Sequence, residues 1–344
     1  MEKGKLLFIG PISQKREVIG GATIKNRCLI DYLNKNNIKL KILDTDNWQK
    51  NILFILIKLF YFLLFRNEKK IVLSTSAKGT YYFLRFFYIF NWRKKEIYFF
   101  QVGGTTTELL EKKIYDIRFF KNITKIYVET NKMVEILKKL GLNQVEYLPN
   151  FKSFEIKDRS KKKINIPLQI VFFSRIEEEK GIELIFNMLS IVNREKIKVK
   201  VDFYGPIQNN YKNIFEEKIK NYEEVRYCGI LNPKEEKTYD ILGKYDLMLF
   251  PTCYENEGIP GSIIDALISS LPIIAARWKN YQQVLDKKIS YSFEIKNQKE
   301  LNKLMESILE NPKIILTMRK NCFEESKKYN TKTVLKKVIN EILK

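Results

Sequence analysis

The stretch Tyr254-Glu255-Asn256-Glu257-Gly258-Ile259-Pro260-Gly261-Ser262-Ile263-Ile264-Asp265-Ala266 decides how the rest of the chain is read. Ahead of it, the apolar run Asp246 to Phe250 predicts a strand covered on both faces, and therefore a parallel one. Behind it, Ile263 to Ser270 predicts a short helix and Pro272 to Ala275 the next strand. A strand, a loop bearing Gly and Pro, then a helix also suits an anion. The first N–H groups of a helix lack partners, and its dipole is positive there. Two acids eight residues apart bracket the turn. Glu257 sits in the loop and Asp265 in the expected first helical turn, so both can face one ligand. The spacing Ser262-x-x-Asp265 also approximates a capping box, which offers Asp265 a purely structural role.

The same alternation extends through the chain. Lys5 to Ile9 predicts a strand that runs into Gly10-Pro11, a loop and Gly20-Gly21-Ala22-Thr23. Helical periodicity follows through Ile24, Leu29, Ile30 and Leu33. A glycine pair before a helix lets backbone approach a ligand and aim N–H groups at phosphate, although it is more often only a turn. Dinucleotide spacing is missing, so no nicotinamide cofactor is inferred. Further strands are predicted at Lys39 to Leu43, Lys70 to Leu73, Glu96 to Phe100, Lys125 to Val128 and Gln144 to Leu148, with helices between. Residues 1–150 thus read as one α/β domain with a parallel sheet. The polar, charged run Phe151 to Ile166 reads as a linker. A second series spans 167–330, with strands at Leu168 to Phe173, Lys198 to Tyr204, Val225 to Cys228, Asp246 to Phe250 and Pro272 to Ala275. Helical stretches Gln298 to Glu310 and Pro312 to Lys344 close the chain.

At 344 residues there is room for two cores. The four cysteines are scattered without metal spacing and no secretory signal is read, so free thiols in a reducing cytoplasm are expected. Histidine is absent, which removes histidine acid–base catalysis, histidine metal sites and Ser-His triads. Carboxylates, Lys and Arg, backbone dipoles or the substrate itself must do the chemistry. Basic residues outnumber acidic ones 62 to 40, much of it attributable to a Lys-, Ile- and Asn-rich composition of the kind an AT-rich genome gives. The excess is +14 over residues 1–150 (27 against 13) and +8 over the remainder (35 against 27). Residues 51–100 hold 16 of the 45 aromatics, interleaved with Lys58, Arg66, Lys69, Lys70, Arg85, Arg93, Lys94 and Lys95. The apolar segment Ile52 to Phe65 is shorter than the ~20 residues a bilayer span needs. It reads either as a buried helix or as part of an aromatic, basic surface resting on the anionic inner face of the cytoplasmic membrane. No nucleic-acid motif accompanies the charge.

Three motifs carry a family resemblance. Phe173-Ser174-Arg175-Ile176-Glu177-Glu178-Glu179-Lys180-Gly181 resembles an Arg-x4-Lys-Gly signature, and Glu257 to Asp265 with the following Pro272-Ile273-Ile274 resembles a Glu-x7-Glu motif. Gly20-Gly21 matches an N-terminal glycine loop, and Tyr147-Leu148-Pro149-Asn150 is a weaker match. Together they resemble the GT-B glycosyltransferases, specifically the retaining family 4 group. The resemblance implies an α/β fold of two Rossmann-like domains facing a cleft, with a last helix, here 331–344, crossing back to the first domain. It also implies that a UDP-, GDP- or other nucleotide-diphosphate sugar is bound mainly by the second domain, without a metal or other cofactor. In that reading Arg175 and Lys180 clamp the diphosphate and stabilise the leaving group. The competing reading pairs them with Glu177, Glu178 or Glu179 at the surface. Glu257, preferred to Glu255 on spacing, reads the sugar, and the backbone of Gly258, Ile259, Pro260 and Gly261 holds sugar and phosphate. Asp265, where the family usually has Glu, binds the ribose, and Gly229 lies near the base. In the first domain the family's usual His is missing, and Gln101 and Gly104 stand at the equivalent strand end. The implied activity is transfer, with retention, to a lipid-linked oligosaccharide in surface-polysaccharide synthesis such as capsule or lipopolysaccharide. A GT-B nucleotide-sugar epimerase and a non-catalytic partner subunit are the alternatives.

Overall fold

Successive side chains of a strand point to opposite faces, and in this chain both faces are apolar. On the first strand Leu6 and Phe8 enter one core while Leu7 and Ile9 enter another, so helices must cover both sides. The computed structural model describes residues 5–13, 21–46, 48–233, 235–255 and 257–343. It divides into two compact units, residues 1–153 with 329–344, and residues 154–328.

The first unit runs β1 (Lys5–Gly10), α1 (Gly21–Lys35), β2 (Lys39–Asp44), α2 (Ile52–Phe65), β3 (Lys70–Leu73), α3 (Ala77–Phe90), β4 (Glu96–Phe100), α4 (Thr105–Glu111), β5 (Lys125–Val128), α5 (Asn131–Lys139) and β6 (Val145–Tyr147). The six strands are parallel, in the order β2-β1-β3-β4-β5-β6. One face packs on Ile55, Leu59 and Leu63 of α2 and on Phe83 and Phe87 of α3. The other packs on Leu29 and Leu33 of α1, together with Leu335, Ile339 and Ile342 near the C-terminus.

The second unit runs β7 (Leu168–Phe173), α6 (Ile182–Val192), β8 (Val199–Tyr204), α7 (Lys212–Ile219), β9 (Val225–Tyr227), α8 (Glu236–Leu242), β10 (Leu247–Phe250), α9 (Gly261–Ile268), β11 (Ile273–Ala276), β12 (Ser290–Phe293), α10 (Gln298–Glu310) and α11 (Ile314–Ser326). Its sheet is again parallel, ordered β12-β11-β10-β7-β8-β9. The final helix α12 (Thr331–Leu343) belongs to the first unit.

Three expectations need correction. Strand β12 was not foreseen, because Ser290-Tyr-Ser-Phe is short and half polar, as an edge strand can be. The expected helical stretch from Pro312 to Lys344 is two helices, α11 and α12, which the unit boundary separates. The run 151–166 is divided between the units, and its charged part is anchored rather than free. Arg159 is buried and pairs with Glu236 and with Asp240 at 2.9 Å. Lys162 pairs with the fully buried Asp246 at 2.6 Å, and burial draws the Lys162 ammonium below its usual range. Asp246 also accepts from the Asn165 side chain at 2.9 Å and from the Gln169 N–H at 2.8 Å. Charge in a sequence reads as solvent-facing, and these long-range partners were invisible there.

Arg319 of α11 ties this segment down. Its guanidinium is fully buried and donates to the carbonyls of Ser160, Tyr245, Arg159 and Gly243, at 3.3, 2.8, 2.8 and 2.8 Å. Desolvation lowers its pKa, which is the cost those carbonyls offset. An R319A variant strands four acceptors and leaves a void, so a loss of about 3 kcal/mol, or roughly 6–12 °C in Tm, is expected. A thermal melt checks it, and a parent-like Tm would show that the staple carries no stability.

Candidate active site

In a parallel sheet, ligands collect outside the carboxyl ends of the strands, where the strand order reverses direction. The second unit reverses between β7 and β10, which are direct neighbours. The loops that leave those two strands carry Arg175 and Lys180 on one side and Glu257 on the other. Residues 77 apart in sequence are thereby brought into contact: the Lys180 Nζ forms an ion pair with Glu257 Oε1. Both side chains are largely buried, at 9 and 14 % exposure. Thr252 Oγ1 lies 3.4 Å from the same carboxylate oxygen, and the Lys180 ammonium lies 5.9 Å from the centroid of the Tyr254 ring.

Glycine is required where the loops touch. Gly181 has φ +69°, and a Cβ there would sit 2.0 Å from the Pro251 carbonyl oxygen. Gly205, at the end of β8, has φ +145°, and a Cβ would lie 1.8 Å from the Ser174 carbonyl oxygen. No other residue fits either place without moving backbone. The N–H of Cys253 donates to the Glu179 carbonyl at 2.8 Å and joins the same two loops. Burial pushes the Cys253 thiol above its usual range, which argues against a thiolate nucleophile.

The competing readings of the two cations separate here. Arg175, 61 % exposed, pairs with Glu177 at 3.1 Å, as the surface reading expects. Lys180 pairs with Glu257 instead. The segment beyond Glu257 is held from β11's far end. Trp278 Nε1 donates to the Gly258 carbonyl and Asn280 Nδ2 to the Glu257 carbonyl, both at 3.1 Å. Trp278 and Asn280 were missed in the sequence, although a tryptophan directly after a strand end was a usable signal.

Helix α9 starts at Gly261 rather than at Ile263, with Pro260 at its N-cap, a residue with no capping oxygen. The capping box is therefore not formed. Asp265 lies in the second turn instead of the first and is only 2 % exposed. Ile259 is buried. Gly229 has φ +81°, and its carbonyl accepts from the Gly205 N–H at 2.9 Å.

In the first unit, Gly20 lies outside the described residues. Gly21 opens α1 with open space where a Cβ would be, so no close approach among the described residues explains it. Gly104 stands at the N-cap of α4. The Gln101 side chain is buried and turned onto its own loop, donating to the Gly103 carbonyl at 2.8 Å and to Thr107 Oγ1 at 2.9 Å. Its backbone carbonyl accepts from Lys25 Nζ at 3.1 Å. That lysine forms a buried ion pair with Glu129 at 2.7 Å, with the two side chains 5 and 4 % exposed. Neither Lys25 nor Glu129 was picked out from sequence. They lie 104 residues apart, and a single charge in an amphipathic pattern carries no mark of its partner.

Residues 153–329, just over half of the chain, match the family described as glycosyl transferases group 1. The chain belongs to this family. The fold of this glycosyltransferase agrees with its solved neighbours. HepE of Anabaena, solved with UDP, aligns with a TM-score of 0.72 at 12 % identity, over 98 % of this chain and 99 % of that one. Sucrose-phosphate synthase from Thermosynechococcus elongatus aligns at 0.77 and 12 % identity, over 98 % of both chains. The lipopolysaccharide outer core galactosyltransferase WaaB aligns at 0.71 and 11 % identity, over 98 % of this chain and 99 % of that one. Identities this low speak for the fold, which is GT-B with two Rossmann-like domains. No curated protein sequence matches this glycosyltransferase.

Proposed function

We propose that this glycosyltransferase belongs to the retaining family 4 group and takes its sugar from a nucleotide-diphosphate donor. The observation that carries the reading is the Lys180–Glu257 pair at the β7/β10 switch point, with Arg175 in the same loop as Lys180. A departing nucleoside diphosphate gathers negative charge as the sugar–phosphate bond breaks. Two cations and the N-terminus of α9 answer that charge without a metal. Glu257 then hydrogen-bonds sugar hydroxyls, Gly258, Ile259, Pro260 and Gly261 line the sugar and phosphate, and Gly229 lies towards the base. Asp265 binds the ribose in this reading, although its burial makes it the residue with the least reach. The family resemblance also assigns Gly20, Gly21, Gln101 and Gly104 to the donor.

With no histidine in the chain, the acceptor hydroxyl attacks the face the leaving group vacates and passes its proton to the departing phosphate oxygen. The new C–O bond replaces the broken one with retained configuration. The acceptor is a lipid-linked oligosaccharide at the cytoplasmic face of an anionic membrane, in capsule- or lipopolysaccharide-like synthesis. The basic, aromatic first half supports that part, as do neighbours such as WaaB and Staphylococcus aureus TarM, the latter solved with UDP and α-GlcNAc-glycerol. HepE has also been solved with UDP-glucose.

A thermal-shift screen across UDP-, GDP-, ADP- and dTDP-sugars tests the donor. One of them at about 100 times its Kd adds about 2.7 kcal/mol to the native state and raises Tm by several degrees, with EDTA making no difference. A flat response to the whole panel would defeat the reading. Conversion of the donor without acceptor, to an epimer, would replace transfer with epimerisation.

A further inference from the structure

Helix α2 carries apolar residues on every side, and the sheet covers only one of them. Ile55, Leu59 and Leu63 are buried, whereas Leu53, Phe54, Ile57, Tyr61 and Phe65 are 51–71 % exposed. Phe54, Lys58, Tyr61 and Phe65 follow helical spacing along one stripe away from the core. A helix that is apolar all round normally lies buried, and contiguous exposed apolar surface of this kind marks an interaction site. The patch continues past α2: Phe60 meets Phe90 edge-on at 5.4 Å, Phe90 meets the exposed Trp92 at 5.9 Å, and Arg93 donates to the Leu64 carbonyl at 3.0 Å.

We infer that α2 lies flat in the headgroup region of an anionic lipid surface, with Leu53, Phe54, Ile57, Tyr61 and Phe65 turned into the acyl boundary. At fourteen residues the helix is about 21 Å long, short of the ~30 Å hydrocarbon core, so it docks in the plane and does not cross. Among the described residues, no helix is long and apolar enough to span a membrane. Lys58 shows how the charge is arranged: its Nζ lies 4.2 Å from the Phe54 ring centroid, the stem along the apolar face and the ammonium free to reach phosphate. Charge selects lipid over a second copy of the chain. From Asn51 to Glu96 nine lysines and arginines stand against two acids: Glu68 is buried and paired with Arg66 at 3.2 Å, Glu96 lies 3.9 Å from Lys70, and Lys95 is buried, which leaves Lys58, Lys69, Lys78, Arg85, Arg93 and Lys94 exposed. A two-fold interface would set that cationic patch against itself, whereas anionic headgroups neutralise it. The inference deepens the proposed reading of a membrane-presented acceptor and rests on it for its purpose.

The test sediments the full chain with phosphatidylglycerol and with phosphatidylcholine vesicles at physiological salt. Binding at least about tenfold tighter to the anionic vesicles is expected. A triple variant, Phe54→Ser with Ile57→Ser and Phe65→Ser, changes only exposed side chains, so it keeps the parent Tm and loses anionic-vesicle binding by about tenfold or more. The inference is overturned by a parent that ignores the anionic vesicles, or by a triple variant that binds them as well as the parent. It is equally overturned if light scattering shows a parent dimer that the triple variant turns into a monomer with vesicle binding unchanged. A parent that ignores anionic vesicles but keeps its nucleotide-sugar thermal shift removes the docking surface and leaves the transferase reading standing. The reverse pattern removes the donor reading and leaves the surface.

Discussion

An E257A variant is expected to transfer sugar about 10²–10³-fold more slowly than the parent, a loss of roughly 3–4 kcal/mol of transition-state stabilisation. Two effects contribute. The variant loses the carboxylate that reads the donor sugar, and it leaves the Lys180 ammonium, 9 % exposed, without its ion-pair partner. The second effect predicts a signature of its own. In the ligand-free protein, E257A melts below the parent, and nucleoside diphosphate raises its Tm by at least as much as in the parent, because phosphate then takes the place of the missing carboxylate beside Lys180. K180A should do the opposite, losing most of the response to nucleoside diphosphate. Because the two residues act as one unit, the double variant should be little worse than the poorer single one. The measurements are steady-state transfer and thermal shift on the four proteins. An E257A enzyme with parental turnover would remove Glu257 from the site.

The second large effect lies in the first unit. Removing one member of the buried Lys25–Glu129 pair strands the other as an uncompensated charge and should cost about 3–5 kcal/mol. E129A and K25M are therefore each expected to melt well below the parent. The double variant K25M/E129L removes both charges and keeps the volume, so it should recover most or all of that loss. Urea or thermal unfolding of the three variants forms the cycle. If the double variant were as unstable as the sum of the two singles, the coupling between the two charges would be zero, and the argument would fail. Lys25 also donates to the Gln101 carbonyl and lies 5.7 Å from the Phe151 ring centroid, so the cost of K25M should exceed that of E129Q.

Much of the fold was legible because the signals were local. Runs such as Leu247 to Phe250 are uniformly apolar, as strands covered on both faces must be, and the glycine and proline breaks between them mark the loops. Five of the six strands of the second unit and all six of the first appear within a residue or two of their predicted places. The strand that was missed, β12, lacks the uniform apolar run that betrayed the others. The placement of Asp265 failed for a related reason. A helix start is set by backbone geometry at Pro260, and reading the helix from its first large apolar residue put Asp265 one turn too early.

Sequence by itself determined the α/β alternation, the two motif-bearing loops and the absence of histidine chemistry, since each is a property of neighbours along the chain. Tertiary structure alone decided which strands lie side by side, and that placed Lys180 against Glu257 and Lys25 against Glu129 across 77 and 104 residues. It also decided the fate of α2. A helix apolar on all sides gives no periodic cue to which face meets the sheet, and only the packing of Ile55, Leu59 and Leu63 left Phe54, Tyr61 and Phe65 uncovered.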